Sequence, residues 1–431
     1  MPYLVHLDFN IQGFNPKMKN LLSLSKDKIK IVLLENIHPR AVEIFNENGY
    51  LNVESFSTAL AGSDLADKIK NAHIVGIRSR TSIDQTVLDK ARRLIAVGCF
   101  CIGTDQVDIN QAARLGVPVF NAPHSNTRSV AELVIGLAVM LMRGIYPKSI
   151  AAHRHQWVKS ASGSNELRGK KIGIIGYGHI GSQVSILAEA MGMQVIYYDI
   201  RTCLPLGNAK PVNSLEQLLK EADLVTLHVP EDETTINMLD HKHLTLLKDE
   251  ACLINASRGR VIDIKALANH MIKGKLRGAA IDVFPSEPGS KQEPFESPLI
   301  GLENVILTPH IGGSTQEAQQ NIGTEVATKL VHFSDLGNTE GSVNFPNVNL
   351  RPNEHTTRLL HIHENRPGLL RAINEIFADR GINVTGQYLE TKGEIGYVVL
   401  DIEPLASRDD SQSLRTVLQN IPGTIRTRIL Y

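Results

Sequence analysis

Gly176, Gly178 and Gly181 form a G-x-G-x-x-G run between an apolar stretch at 171–176 and a helical pattern at 180–191. Such a spacing constrains the chain more than any other feature of it. The first glycine permits a tight turn, the second lets backbone approach a pyrophosphate, and the third lets helix pack closely on strand. The opening turn of the helix then offers unpaired N–H groups to phosphate. Glycines also mark plain turns, so the surroundings decide. Asp199 closes the next apolar run, at 194–199, near the ~20-residue offset expected of a carboxylate that binds a ribose hydroxyl. A carboxylate there favours NAD and repels the extra phosphate of NADP. Arg201 argues the other way, because it offers a partner to that phosphate.

The rest of the chain alternates in the same manner. Apolar runs at 30–34, 73–78, 94–97 and 118–121 are separated by helical stretches, among them 39–48. A second series places strands at 171–176, 194–199, 224–229, 251–255, 279–283 and 305–308, with helices at 180–191 and 215–221. The pattern predicts an α/β protein with two Rossmann-like parallel-sheet domains and a ligand cleft between them. A break rich in proline and asparagine at 343–355 follows. Beyond it strands at 357–363, 382–390, 395–402 and 424–431 alternate with helices at 368–380 and 411–420, a ferredoxin-like βαββαβ order. Residues 1–27 show no periodicity and read as an N-terminal extension.

Charge narrows the partners. Across 431 residues, 45 Lys and Arg balance 45 Asp and Glu, and no long basic field points to nucleic acid or an anionic membrane. The longest apolar run, 133–142, is too short to span a bilayer, and the N-terminus does not resemble a secretory signal. Cys99, Cys101, Cys203 and Cys252 show no paired framework. A cytoplasmic location is the expectation. His153 with His155, and His241 with His243, lack a closed set of further ligands, so no metal site is expected.

Three segments past strand ends carry the chemistry: Asn255-Ala256-Ser257-Arg258-Gly259, Asp282 to Pro288, and Thr308 to Gly313. The carboxyl edge of an open α/β sheet is where ligands sit, so Arg258, Glu287 and His310 are candidates to converge beside the nucleotide turn. Oxidising a secondary alcohol needs a base for its proton, and histidine suits that near neutral pH. A neighbouring carboxylate favours the imidazolium, so the pair also serves as acid in reverse. An arginine grips a substrate carboxylate with two prongs. Singly, each has a bland alternative: a solvated arginine, a loop-shaping glutamate, a structural histidine. Together, and behind a dinucleotide turn, they read as a reacting set.

The run from Gly176 to Gly313 resembles the D-isomer-specific 2-hydroxyacid dehydrogenases, through Gly176-Tyr-Gly-His-Ile-Gly181, His228-Val-Pro230, Asn255-Ala-Ser-Arg-Gly259, Asp282-Val-Phe284 and Pro309-His-Ile-Gly-Gly313. The resemblance implies that Arg258, Glu287 and His310 are catalytic. It implies cofactor contacts at Gly176, Gly178, His179, Ile180, Gly181, Asp199, Ala256, Ser257, Arg258, Asp282, His310, Ile311, Gly312 and Gly313. It also implies a discontinuous substrate-binding domain, 28–122 with 310–345, around a nucleotide domain at 123–309, then a linker at 346–356.

The tail at 357–431 resembles an ACT domain, an amino-acid-binding module, through His361-Ile-His-Glu-Asn-Arg-Pro-Gly368. Within the family such a tail implies oxidation of 3-phosphoglycerate on the way to serine, with L-serine as effector at His363, Asn365 and Asn383, held at the interface of two ACT domains paired edge to edge. It implies a homotetramer, and reduction of 2-oxoglutarate as a further activity. Arg78 and Arg80 follow a strand on the side expected to face the cleft and offer cations to a second anionic group, and Arg78 with Ser79 and Asn126 resembles the family's substrate contacts. Two alternatives stand beside this reading. One is a dehydrogenase of an unphosphorylated acid such as glycerate, against which Arg78, Arg80 and the ACT tail argue. The other is a non-catalytic NAD-sensing binding protein, which the trio alone does not exclude.

Overall fold

The computed structural model describes residues 24–288, 293–353 and 355–430; most of the expected N-terminal extension lies outside them. The chain divides into two compact units. One is built from the chain up to Pro123 and from Ile322 onward, the other from His124–Asn321.

The first unit opens with five parallel strands: β1 (Ile31–Leu33), β2 (Val53–Ser55), β3 (Ile74–Ile77), β4 (Ala96–Cys99) and β5 (Val119–Asn121), in the order β2-β1-β3-β4-β5. β1, β3, β4 and β5 are buried at every residue, as parallel strands covered on both faces must be. The edge strand β2, Val-Glu-Ser, is not fully buried at any residue and has no apolar run to mark it.

The second unit holds β6 (Lys171–Ile175), β7 (Gln194–Tyr198), β8 (Lys210–Pro211), β9 (Leu224–Leu227), β10 (Cys252–Asn255), β11 (Gly278–Ile281) and β12 (Val305–Leu307). They pair in parallel in the order β12-β11-β10-β9-β6-β7-β8. The chain runs outward from β6 through β7 and β8, then returns to β9 on the other flank of β6. The sheet therefore reverses direction at the β6–β9 boundary, and at such a switch point neighbouring loops part to leave a ligand crevice. The helix Thr127–Arg143 is apolar because it is a core element. Val130, Val134, Leu137 and Leu141 are buried with Ile172, Ile174 and Ile254 of the sheet. Among the described residues no single helix is long and apolar enough to cross a membrane.

The C-terminal part of the first unit is an antiparallel sheet, β13 (Thr357–Glu364), β14 (Val384–Lys392), β15 (Ile395–Ile402) and β16 (Thr424–Ile429), in the order β14-β15-β13-β16. Both of its central strands are covered on two faces. Ile395, Tyr397 and Val399 of β15 and Leu360 and Ile362 of β13 pack with Val326, Leu330, Phe333 and Phe345. The alternate residues Val398, Leu400 and Leu359 pack under Ile373 and Phe377 of helix Leu369–Asp379 and Leu414 and Leu418 of helix Arg408–Gln419. Burying each such side chain stabilises by about 1.5–3 kcal/mol, so this sheet shares its core with the five-stranded one. Val348 is buried in that same core, although the segment around it has no regular structure. Arg358 and Asp401 face each other across β13 and β15 as a buried ion pair at 2.7 and 2.9 Å. The arginine also donates to the carbonyls of Leu336 and Arg351.

Candidate active site

The nucleotide turn lies where β6 ends. Gly176 has φ +90°, and a Cβ there would stand 2.6 Å from the His228 carbonyl oxygen, so both the conformation and the space require glycine. A Cβ on Gly181 would collide with the Gly176 carbonyl oxygen. The helix His179–Ala190 starts at Gly178 with no side chain capping it, which leaves its first N–H groups, at His179, Ile180 and Gly181, for a ligand. Asp199 is nearly buried at the end of β7. It accepts from Tyr177 N at 2.7 Å and from Arg201 N at 2.9 Å, so it is fixed beside the turn by the backbone itself. The Arg201 side chain is exposed and 3.7 Å from Asp199, held toward that carboxylate.

The reacting set is assembled in the same unit by three loops that leave β10, β11 and β12. A Cβ on Gly259 would overlap the Phe284 carbonyl, so the loop carrying Arg258 presses directly on the loop carrying Glu287. Asn255 shapes the first loop. Its Oδ1 accepts from Ser257 N and Oγ at 3.0 and 2.8 Å, and its Nδ2 donates to Arg258 O at 2.9 Å. Ala256 lies within this turn. Arg258 Nη1 donates to Ser257 O at 2.8 Å.

Asp282 organises the third loop. It is buried, its Oδ1 accepts from Thr308 Oγ1 at 2.6 Å and Ile311 N at 2.8 Å, and its Oδ2 accepts from Gly312 N at 2.9 Å. These bonds hold His310 at φ +54°, a left-handed conformation unusual for a residue with a side chain. His310 Nδ1 faces Glu287 at 2.8 Å to Oε2 and 3.1 Å to Oε1, leaving Nε2 for a substrate. The Glu287 hydrogen bond raises the His310 pKa above the ordinary histidine range. Burial opposes this, the charges of Glu287 and Asp282 support it, and Arg258 lowers it. Glu287 moves in the complementary direction. Burial pushes its carboxyl up, but the hydrogen bond and charge of His310, the Phe284 N–H and Arg258 together bring it below the usual value.

Asn126 stands at the N-cap position of helix Thr127–Arg143, without a side-chain cap bond, beside this loop, whose Gly312 carbonyl accepts from Ser129 Oγ at 2.6 Å; Gly313 O accepts from Gln319 Nε2 at 2.8 Å. Asn126 Oδ1 is buried and has no hydrogen-bond partner among the described residues. His228 Nδ1, next to the nucleotide turn, is likewise unpartnered, and burial pushes this imidazole down to about 3. It stays neutral at working pH. Orphaned polar atoms of this kind ask for a ligand, and His228 with the glycine cradle fits a dinucleotide. His228 carries no assigned role in the sequence reading, where it appears only as part of a matching tripeptide.

The remaining expected residues lie in the other unit. Arg78, Ser79 and Arg80 follow the end of β3, and the backbone N–H groups of Arg78, Arg80 and Thr81 all donate to the Glu35 carboxylate at 2.8–3.0 Å. Glu35 is buried with φ +63°, and nothing in the sequence singles it out. His363 is buried at the end of β13 and lies 3.3 Å from His361, Nδ1 to Nδ1. Asn365 donates to Gly393 O at 3.1 Å in the turn beyond. Asn383 precedes β14 and accepts from Glu403 N, at the opposite end of the sheet. One chain does not bring Asn383 to His363.

Comparison with known proteins agrees with this geometry. Residues 135–312 match the family described as D-isomer specific 2-hydroxyacid dehydrogenase, NAD binding domain, and residues 359–426 match the AHAS small subunit-like ACT domain. The chain is 56% identical to a D-3-phosphoglycerate dehydrogenase of Haemophilus influenzae over 414 residues, covering 96% of this chain and 100% of that one. It is 47% identical to a D-3-phosphoglycerate dehydrogenase of Dictyostelium discoideum over 409 residues, covering 95% and 99%. Among solved structures it resembles a D-lactate dehydrogenase of Aquifex aeolicus complexed with NAD and lactic acid, with TM-score 0.65 and 25% identity over 74% of this chain and all of that one. The nucleotide turn, the trio and the C-terminal module thus have one common explanation: this chain belongs to the D-3-phosphoglycerate dehydrogenases of the D-isomer-specific 2-hydroxyacid dehydrogenase family, NAD-binding oxidoreductases, and carries a C-terminal ACT domain.

Proposed function

We propose that the protein oxidises 3-phospho-D-glycerate at C2 to 3-phosphohydroxypyruvate, the first step toward L-serine, with NAD as acceptor. The observation that carries this reading is the His310–Glu287 pair at 2.8 Å, set beside Arg258 in loops that leave the carboxyl edge of the NAD-binding sheet. His310 Nε2 takes the C2 hydroxyl proton as the C2 hydrogen departs with its electron pair. NAD, when bound, supplies the hydride acceptor. Glu287 stabilises the imidazolium that forms, and Arg258 binds the substrate carboxylate and polarises the C2 oxygen. In the reverse direction the imidazolium returns its proton. The raised His310 pKa, caused first by the Glu287 hydrogen bond, favours that acid form.

The cofactor is assigned to Gly176, Gly178, His179, Ile180, Gly181, Asp199, Ala256 to Arg258, Asp282 and His310 to Gly313. The second anionic group of the substrate is assigned to Arg78, Ser79 and Arg80, with Asn126 as a polar partner. Residues 28–122 with 310–345 act as substrate-binding domain and 123–309 as NAD-binding domain. L-Serine bound at His363, Asn365 and Asn383 inhibits, in a cytoplasmic homotetramer, and 2-oxoglutarate is a secondary substrate of the reverse reaction. Turnover of purified protein with NAD and 3-phosphoglycerate, with and without L-serine, tests this. A rate no higher than with glycerate overturns the substrate. A Km for 3-phosphoglycerate unmoved in Arg78→Ala overturns the role of that arginine.

A further inference from the structure

Arg78, Ser79, Arg80 and Thr81 follow β3 in succession, and three of their four backbone N–H groups converge on one side chain. Glu35 Oε1 accepts from Arg78 N at 3.0 Å and from Thr81 N at 2.8 Å, and its Oε2 accepts from Arg80 N at 3.0 Å. The N–H of Ser79 is not among them. Glu35 and Thr81 are buried, while Arg78 is partly exposed and Ser79 and Arg80 are exposed. The loop thus turns its backbone donors inward and its side chains outward. Gln106 completes the grip, its Nε2 donating to the Arg78 carbonyl at 2.7 Å. The backbone of Arg78 is therefore held at both its N–H and its C=O.

A glutamate is seldom buried so fully, and this one sits on an unusual backbone. Glu35 and Asn36 have φ +63° and +53°, the left-handed region, and neither is glycine. Hydrogen bonds hold them there: Glu35 N donates to Thr58 O at 3.1 Å and Asn36 N to Phe56 O at 2.9 Å. Such strain persists only where the surroundings over-determine it, and it collects at functional sites. The charges are unequally shared. Arg80 Nε lies 3.7 Å from Glu35 Oε2. Arg78 has no carboxylate partner among the described residues, and its Nη1 reaches the Glu35 backbone carbonyl at 3.5 Å. Two arginines around one buried carboxylate leave a net positive charge, and the uncompensated guanidinium is that of Arg78.

We propose that Glu35 is a positioning residue for substrate binding: its carboxylate folds the loop 78–81 so that Arg78 and its neighbours meet the substrate's second anionic group, with Arg78 as the uncompensated cation among them. Glu35 acts through the loop and not on the substrate itself. The proposal rests on the assignment of that loop to the substrate.

Steady-state assays of the full-length protein give Km for 3-phosphoglycerate, Km for NAD and kcat. Glu35→Gln removes the charge and turns an NH₂ group against one of the three N–H donors. Its Km for 3-phosphoglycerate should rise about tenfold, by more than kcat falls, with Km for NAD as in wild type. Glu35→Asp keeps the charge and suits a left-handed backbone, but withdraws the carboxylate by one methylene. Its Km for 3-phosphoglycerate should rise about threefold, so this variant decides if the glutamine one does not fold. Joined to Arg78→Ala, the aspartate change should add little, because both act on one contact. An unmoved Km in Glu35→Asp beside a raised Km in Arg78→Ala overturns the proposal and leaves the substrate assignment standing. An unmoved Km in Arg78→Ala overturns that assignment and the proposal with it. A double variant whose Km rises by the product of the two single effects shows that Glu35 does not act through Arg78, and overturns the proposal alone. An equal rise in Km for NAD marks a general loss of structure and overturns it too.

Discussion

Asp282→Asn is the most informative single change, because Asp282 takes up no proton or hydride in the proposed chemistry and yet fixes the histidine assigned to it. The carboxylate accepts three hydrogen bonds inside the protein, two at Oδ1 and one at Oδ2. An asparagine keeps one acceptor. Its favourable orientation retains Thr308 and Ile311 and turns the amide NH₂ against the Gly312 N–H. The flipped orientation keeps Gly312 and loses the other two. The better case removes one charge-assisted bond, worth about 1.5–3 kcal/mol, and strands a buried N–H at about 1–3 kcal/mol more. The loop responds by moving, and His310 with it. Displacement of about 1 Å at a reacting group costs roughly 100-fold, so kcat should fall about 10- to 100-fold. Charge gives an independent readout. Asp282 is among the groups that raise the His310 pKa, so its loss lowers that pKa. Oxidation needs neutral His310, and its rate falls as pH drops through the histidine pKa, so the acid limb should shift to lower pH. Steady-state oxidation assays across pH, with far-UV CD to confirm folding, provide both. Wild-type kcat with an unmoved acid limb would refute the idea that Asp282 positions His310.

Glu287→Gln removes the largest influence raising the His310 pKa. The acid limb of oxidation should move further down than in Asp282→Asn, while reduction, which needs the imidazolium, should lose rate near neutrality; equal limbs in the pH–rate profiles of both variants contradict the assignment. Gly181→Ala places a methyl against the Gly176 carbonyl, a strain of about 1–3 kcal/mol. NAD affinity measured by fluorescence titration should weaken about 10-fold or more, and unchanged affinity would remove the turn from the cofactor site. Arg358→Met leaves the Asp401 carboxylate buried without its partner and should cost about 3–5 kcal/mol in denaturant unfolding. Adding Asp401→Leu should recover part of that loss, and a double variant as unstable as the sum of the singles would show that the pair is not coupled.

What the sequence made legible was whatever depends on local backbone demands. Gly176, Gly178 and Gly181 are required by a tight turn and a close helix, both within a few residues of each other, so spacing alone locates them. That Arg258, Glu287 and His310 lie on neighbouring loops was legible because each comes within a few residues of a strand end, and strand ends in a parallel sheet share one edge. Glu35 was not legible. It lies 43 residues before Arg78, whose N–H it accepts, and its burial follows from the pairing of β1 with β3 rather than from its neighbours. The same holds for the Arg358–Asp401 pair, which only the β13–β15 register brings face to face. The strands β13 and β15 were legible in the sequence, but not that both of their faces are covered.

Register agrees with the proposed serine site at an interface of two ACT domains. His363 lies opposite Gly396, while Val384, the residue after Asn383, lies opposite Ile402. Six strand positions at about 3.4 Å each put the two ends of the sheet roughly 20 Å apart. A site that uses His363, Asn365 and Asn383 together therefore draws on two chains, with the first two residues from one and Asn383 from the other. Asn365→Ala and Asn383→Ala should each abolish serine inhibition in pure form. Mixed, unfolded and refolded together in equal amounts, they should regain part of it. In a two-fold pair that holds one chain of each kind, one site carries both changes and the other carries neither. Half of random pairs are of this kind, so about a quarter of all sites should be intact. Serine binding by calorimetry counts those sites directly. If His363, Asn365 and Asn383 acted within one chain, every site in the mixture would carry a change. Serine binding would then stay lost, and the two-chain assignment would fall with it.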